Sequence, residues 1–208
     1  MKTNNNLEET RIRILEAAER QFLGNGYDAT RLEDIVREAR VSKTAIYKIF
    51  GGKRELFLAL NDCIIKDLIN KIAQSRTLKT GSLEELKQNL FELGKDYLTS
   101  LTEGHPLSLF RLNLSIATRF KDASKNYYSS GPKAFQDILS QFFKEVHEAN
   151  ILNIPDTDIA ADQFMAMIRG NFHIQALMDI DFQPNSEAIS NYVENSVNLF
   201  VDGYRANT

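Results

Sequence analysis

The chain has 208 residues, 43% hydrophobic and 25% charged, with a formal net charge of −3 at pH 7. Such a chain can bury one sizeable core or two smaller ones. The single cysteine, Cys63, excludes an intramolecular disulfide, and no apolar run is long enough for a membrane helix.

Charge is unevenly spread. Residues 1–60 hold 11 Lys/Arg against 9 Asp/Glu, a net of +2, which leaves −5 for the rest. A weakly basic head on an acidic body is compatible with a local nucleic-acid surface but is no proof of one. The opening MKTNNNLEETR has no apolar signal core, so a soluble cytoplasmic protein is expected.

Nearly every segment has helical periodicity, so an all-α fold of about nine helices is expected. The first helix covers about Leu7 to Asn25, with Ile14, Leu15, Ala18 and Phe22 on one face, and Gly26 supplies a left-handed stop. The second starts at Thr30, where Thr30 and Glu33 have capping-box spacing; its apolar stripe is Leu32, Ile35, Val36 and Ala39. The third starts at the N-cap Ser42, with Val41 positioned to staple onto Ile46 and an apolar face of Ala45, Ile46, Ile49 and Phe50. Gly51-Gly52 breaks the chain, and a fourth helix runs from Lys53 to about Ser75 with Leu56, Phe57, Leu60 and Ile64 inward. The domain boundary is expected after Gly52: 1–52, then a helical body of 53–208.

The body continues with helices over Leu83 to Thr102 and Leu107 to Thr118. A long stretch follows over about Ala123 to Glu148, kinked or interrupted at Gly131-Pro132. Asp156 or Thr157 caps a helix to about Met178, and Pro184-Asn185-Ser186 opens the last one, to about Tyr204.

The second and third helices, joined by the short turn Arg40 to Ser42, have the layout of a helix-turn-helix. The third would present Lys43, Thr44, Tyr47 and Lys48 outward, residues able to meet phosphates and base edges in a major groove. On pattern alone, a solvated amphipathic helix in an ordinary helical protein explains it as well.

The wording ILEAAERQFLGNGYDATRLEDIVREARVSKTAIYKIFGGKRELFLAL resembles the N-terminal domain of the TetR family of bacterial transcriptional regulators, over about Thr10 to Leu60. The resemblance implies DNA contacts from Thr30, Ser42, Lys43, Thr44, Ala45, Tyr47, Lys48 and Lys53. Arg40 stands where the family usually has Gly, Thr44 where Gly is common, and Gly52 where a Ser, Asn or Asp cap is usual. The stretches LFRLNLSIATRF, YYSSGPKAF and AADQFMAMIRGNFHIQALM resemble the C-terminal domain of the AefR-like branch. That second resemblance implies a ligand pocket among the middle helices and a homodimer interface on the last two.

Phe91, Tyr97, Phe110, Leu114, Met165 and Phe172 can line such a pocket, with Asn113, Arg169 and His173 as polar anchors; the same residues equally suit a plain core. Ile174, Met178, Ile189, Tyr192, Val193, Ser196, Leu199 and Phe200 are candidates for the dimer face, or for packing within one subunit. His105, His147 and His173 share no metal-ligand spacing, and Cys63 falls on an apolar helix face. No catalytic motif appears: Glu84-Glu85 read as first-turn helix charges, and neither an enzyme nor a cofactor is expected. The expected partners are a pseudo-palindromic double-stranded operator, an unidentified small effector and a second copy of the chain, with no membrane. The competing function is a helical ligand-binding or assembly protein that no longer reads DNA.

Overall fold

The structure, a computed structural model, describes residues 2–74 and 81–205. Its helices are α1 (Lys2–Ala29), α2 (Leu32–Ala39), α3 (Lys43–Phe50), α4 (Lys53–Gln74), α5 (Leu83–Thr102), α6 (Gly104–Ile116), α7 (Lys121–Tyr128), α8 (Ala134–Glu148), α9 (Thr157–Met178) and α10 (Ser186–Gly203). A π-helical turn, Ser129–Lys133, lies between α7 and α8; taken with them as one segment, the described residues form nine helical segments and no strand. Pro132 has no N–H for a regular ladder, and the wider turn sits where the sequence predicts the interruption. The end of α4 predicted at Ser75 lies outside the described residues.

Local signals fix four of the helix starts. Ser42, Ser82, Asp156 and Asn185 each accept a hydrogen bond from the amide three residues on. Each satisfies one of the amides a helix start leaves unpaired. Gly26 breaks α1 where the sequence predicts a stop, but at φ 79° and ψ 167° it is not left-handed helical, and helix resumes to Ala29.

Contacts divide the chain into two compact units. The first is 1–66 with 108–127; the second is 67–107 with 128–208. The first unit therefore extends past Gly52, because the first part of α4 and the 108–127 segment share its core. That core holds Ile14, Phe22, Ile35, Ile46, Phe57 and Leu60 with Leu112, Ile116 and Ala123. Tyr27 joins it by edge-to-face contacts with Phe57 and Phe120, centroids 5.3 and 5.0 Å away.

The second unit packs α5, α8, α9 and α10 around Phe143, which meets Phe164 and Phe200 at 6.0 and 5.1 Å. Gly94 of α5 lies at a close crossing: a Cβ there would stand 2.9 Å from both Ile168 and Val193. A second break, Gly170, interrupts α9 at φ 45° and ψ −150°. No described helix is long and apolar enough to cross a membrane.

Candidate nucleic-acid interface

The first unit carries the helix-turn-helix. Leu32, Ile35 and Ala39 of α2 and Ile46 of α3 are buried, while Val36, Val41, Ile49 and Phe50 pack at the edge of the same core. This pins one side of α3 and leaves Lys43, Thr44, Tyr47 and Lys48 exposed, with Ala45 half-buried between them. Tyr47 keeps 51% of its surface, a large exposure for an aromatic side chain. Ser42 is committed to capping, its hydroxyl accepting from the Ala45 amide at 3.1 Å.

The turn between α2 and α3 depends on Arg40 at φ 54° and ψ 49°, the left-handed region. Its amide and that of Val41 both donate to the Val36 carbonyl, closing the helix end. A side chain in this region costs about 1 kcal/mol, and glycine escapes that cost. Arg40→Gly is expected to stabilise the chain by about 1 kcal/mol, raising the unfolding midpoint by about 2–4 °C. A midpoint at or below the parent's in a calorimetric scan counts against the strain.

Two expected contacts take other partners. Thr30 does not cap α2: the helix starts at Leu32, and its N-cap Arg31 makes no side-chain cap bond. Thr30 is 1% exposed, and its hydroxyl is placed to donate to the carbonyls of Gln21 and Gly26, 2.8 and 2.7 Å away. That hydroxyl ties α2's entry to α1 and is not presented to a phosphate. Glu33, the other half of the expected box, accepts from Lys43 at 2.7 Å. This bond holds the Glu33 carboxyl below and the Lys43 ammonium above their ordinary ranges.

Lys53 is half-buried at the start of α4, its ammonium 4.5 Å from the centre of the Tyr27 ring. Desolvation pushes its pKa down, against the opposing pull of Asp28. Lys48 is the cation of α3 that makes no ion pair among the described residues. Arg11 of α1, which the sequence pattern does not single out, lies 5.7 Å from the Phe50 ring centre at the end of α3.

The nine pocket candidates separate. Phe110, Asn113 and Leu114 belong to the first unit, where Asn113 is buried, Leu114 is 55% exposed and Phe110 meets Tyr127 edge-on. The other six belong to the second unit. Tyr97, Met165 and His173 are buried, and Phe91 and Phe172 pack on the same apolar cluster. Tyr97 lies against Phe135 at 4.7 Å, and burial raises its pKa to about 12. Arg169 is half-buried and makes no hydrogen bond or ion pair among the described residues.

His173 Nδ1–H donates to the Leu101 carbonyl at 2.8 Å. Burial outweighs that bond and lowers its pKa. The unfolded chain therefore binds a proton more readily than the folded one. His173's contribution to stability is complete above the ordinary histidine range and is lost as pH falls from there through the lower folded value. His173→Gln is expected to flatten the decline of the unfolding midpoint below about pH 6.5. An unchanged slope between pH 7 and 5 counts against this.

The dimer candidates also separate. Ile189, Val193, Ser196 and Phe200 are buried in the subunit's own core, which corrects their assignment to a partner face. Helical periodicity turns them toward α5 and α9. Tyr192 is half-buried, its hydroxyl donating to the Met167 carbonyl at 2.8 Å. Ile174, Met178 and Leu199 remain outward, 56%, 84% and 68% exposed. Beside Leu199 an open groove of about 530 Å³ runs between α9 and α10, floored by Met167 and Phe200.

A short helix packed on one side and polar on the other, held across a tight turn in an all-helical chain, defines a helix-turn-helix DNA-binding protein. Comparison with known proteins agrees. The family model for bacterial regulatory proteins of the tetR family matches residues 14–60, and that for the AefR-like transcriptional repressor C-terminal domain matches residues 88–206. The chain belongs to the TetR family of DNA-binding transcriptional regulators, in its AefR-like branch. It is 26% identical over 205 residues to the HTH-type transcriptional regulator YvkB of Bacillus subtilis, covering 96% of this chain and all of that one. A TetR-family regulator from Mesorhizobium loti superposes with a TM-score of 0.88 at 22% identity, over 96% of this chain and 98% of that one. The flavonoid-responsive regulator FrrA superposes with a TM-score of 0.76 at 26% identity, over 96% and 98%.

Proposed function

We propose that the chain is a dimeric repressor, released from a pseudo-palindromic operator by a small amphipathic effector. The observation that carries DNA reading is the exposed row Lys43, Thr44, Tyr47 and Lys48 on a helix fixed from behind by Ile46. Lys43 and Lys48 meet phosphates, Tyr47 donates to a phosphate oxygen, and Thr44 and Ala45 lie against base edges. Lys53 joins them once it leaves Tyr27. Repression is supported by the AefR-like repressor match over residues 88–206.

The second copy meets the outward set Ile174, Met178 and Leu199, with the groove beside Leu199 taking a partner side chain. The effector lies against the second unit's cluster of Phe91, Tyr97, Met165 and Phe172, with Arg169 as the anchor for a polar or anionic end. The flavonoid-responsive regulator FrrA, of matching fold, supports a small-molecule response. Release requires that the effector bind the DNA-incompetent state more tightly.

The deciding experiment is selection of duplexes from a random pool by the purified chain. The expected winner is a two-fold symmetric site with half-sites about 34 Å apart, bound with an affinity that falls steeply with salt. Recovery of no common sequence overturns the proposal. Leu199→Glu is expected to shift the chain to monomer in sedimentation and to abolish selection of paired half-sites.

A further inference from the structure

Within the first unit one buried polar contact stands apart. Asn61 of α4 is 0% exposed and Asn113 of α6 is 3% exposed, among Phe57, Leu60, Leu112 and Ile116. Asn61 Nδ2 donates to Asn113 Oδ1 at 3.1 Å, and Asn113 Nδ2 donates back to Asn61 Oδ1 at 3.2 Å. The Asn113 amide also donates to the Leu109 carbonyl at 3.0 Å. The side-chain donors and acceptors of the pair thus meet each other inside an apolar core.

We propose that Asn61 and Asn113 form a register lock that positions the reading unit for its operator, a role separate from holding the fold together. The inference rests on the operator-binding reading above. Two apolar side chains of similar size would fill this site at little or no loss of stability, so the amides are not needed for burial. What amides add is direction. The reciprocal pair closes at one setting of α4 against α6. A slide of one residue, 1.5 Å along a helix, opens both bonds and strands two amides in a dry core.

The location makes that setting matter. Each partner stands five residues from the point where its helix crosses the limit of the unit, at Lys66 and at Ser108. A lock there holds α4 against α6 inside the unit. Exposed polar ties also join the 108–127 segment to the rest of the unit, beside the buried apolar packing of Leu112, Ile116 and Ala123. Asp28 takes two bonds from Arg119, at 2.9 and 2.6 Å, Arg54 pairs with Asp122, and Asn126 donates to Asp62 at 2.8 Å. Such surface contacts are screened by water and salt and tolerate small shifts. The buried amide pair adds a directional bond that the apolar packing of Leu112 and Ile116 does not supply.

A dimeric reader needs its two recognition helices at a fixed spacing. When α4 and α6 are free to slide, the competent arrangement is only a fraction of the population, and apparent operator affinity falls by that fraction.

The test replaces both residues at once, Asn61→Leu with Asn113→Leu, and in parallel both with Ala. Three quantities are measured: the thermal midpoint, affinity for the duplex selected by the parent chain, and affinity for an unrelated duplex. The expected result is a folded Leu pair that binds the selected duplex about tenfold more weakly, with affinity for the unrelated duplex unchanged. Selected-duplex affinity within twofold of the parent, in either folded pair, overturns the lock. If neither pair folds, the separation from stability is wrong and the proposal falls. If the parent itself selects no sequence, the operator-binding reading fails, and the parent arm shows this before any variant is compared.

Discussion

Gly170→Ala is expected to destabilise the second unit by about 2–4 kcal/mol, lowering the unfolding midpoint by about 5–15 °C. Two independent causes add. At φ 45° and ψ −150° the residue occupies a region that side chains rarely take, which costs about 1–3 kcal/mol. A methyl group there would also overlap the Tyr192 hydroxyl and stand 2.6 Å from its Cζ. Moving Tyr192 loses its bond to the Met167 carbonyl, worth about 1 kcal/mol. In a regular helix that carbonyl would turn to the amide four residues on, so the tyrosine serves a group the break exposes. Straightening α9 offers no escape. It would rotate Phe172 away from Tyr192, 5.2 Å distant, and His173 away from the Leu101 carbonyl. Tyr192→Phe, which removes only the hydroxyl, is expected to cost about 1 kcal/mol. A midpoint for Gly170→Ala within 1–2 °C of the parent would falsify the account, since an effect that small corresponds to only about 0.5 kcal/mol.

The break at Gly170 also shows what a sequence pattern can hide. Its flanks, Thr157 to Arg169 and Asn171 to Met178, keep helical periodicity, and one glycine in a helical pattern is tolerated often enough to pass unnoticed. The caps were legible for the opposite reason. Ser42, Asp156 and Asn185 bond to an amide three residues away, so spacing contains the whole interaction. Thr30 and Glu33 have the same spacing, yet each had a better partner that only the fold supplies: the carbonyls of Gln21 and Gly26 for one, Lys43 for the other.

Faces were harder than helices. The apolar set on α10 is broad because part of it fills the subunit's own core and part points out, and periodicity does not say which. Val193 and Leu199 looked alike in sequence and differ from 0% to 68% in exposure. Asn61 left a readable signal, a polar residue one turn after Phe57 in an apolar stripe. Its partner, 52 residues away, was not readable. Arg40 was legible because the left-handed conformation follows from the turn itself, whatever packs around it.

On α3 the structure ranks the cations. Lys48→Ala is expected to weaken operator binding about tenfold at 0.1 M salt, and to reduce the slope of log affinity against log salt by about 0.9. Lys48 is exposed and would bring its charge to a phosphate with no ion-pair partner among the described residues to give up. Lys43 is bound to Glu33 at 2.7 Å, and the pair is locally neutral. An exposed pair of this kind is worth about 1 kcal/mol or less, so a phosphate can take Lys43 from Glu33, but Glu33 then faces the DNA. Glu33→Gln is therefore expected to tighten binding, and the double variant Lys43→Ala, Glu33→Gln to lie closer to the parent than Lys43→Ala alone. Tyr47→Phe, losing one hydrogen bond from an uncharged donor to an anionic phosphate, is expected to cost about 10–150-fold without changing the salt slope. All four side chains are exposed, so these variants should unfold within about 0.5 kcal/mol of the parent. Filter-binding titrations between 0.05 and about 0.3 M salt, on a range where phosphate contacts dominate the slope, separate the outcomes. A Lys48→Ala protein with the parent's slope means that Lys48 neutralises no phosphate, and α3 would then meet DNA by a face other than the one its packing leaves open.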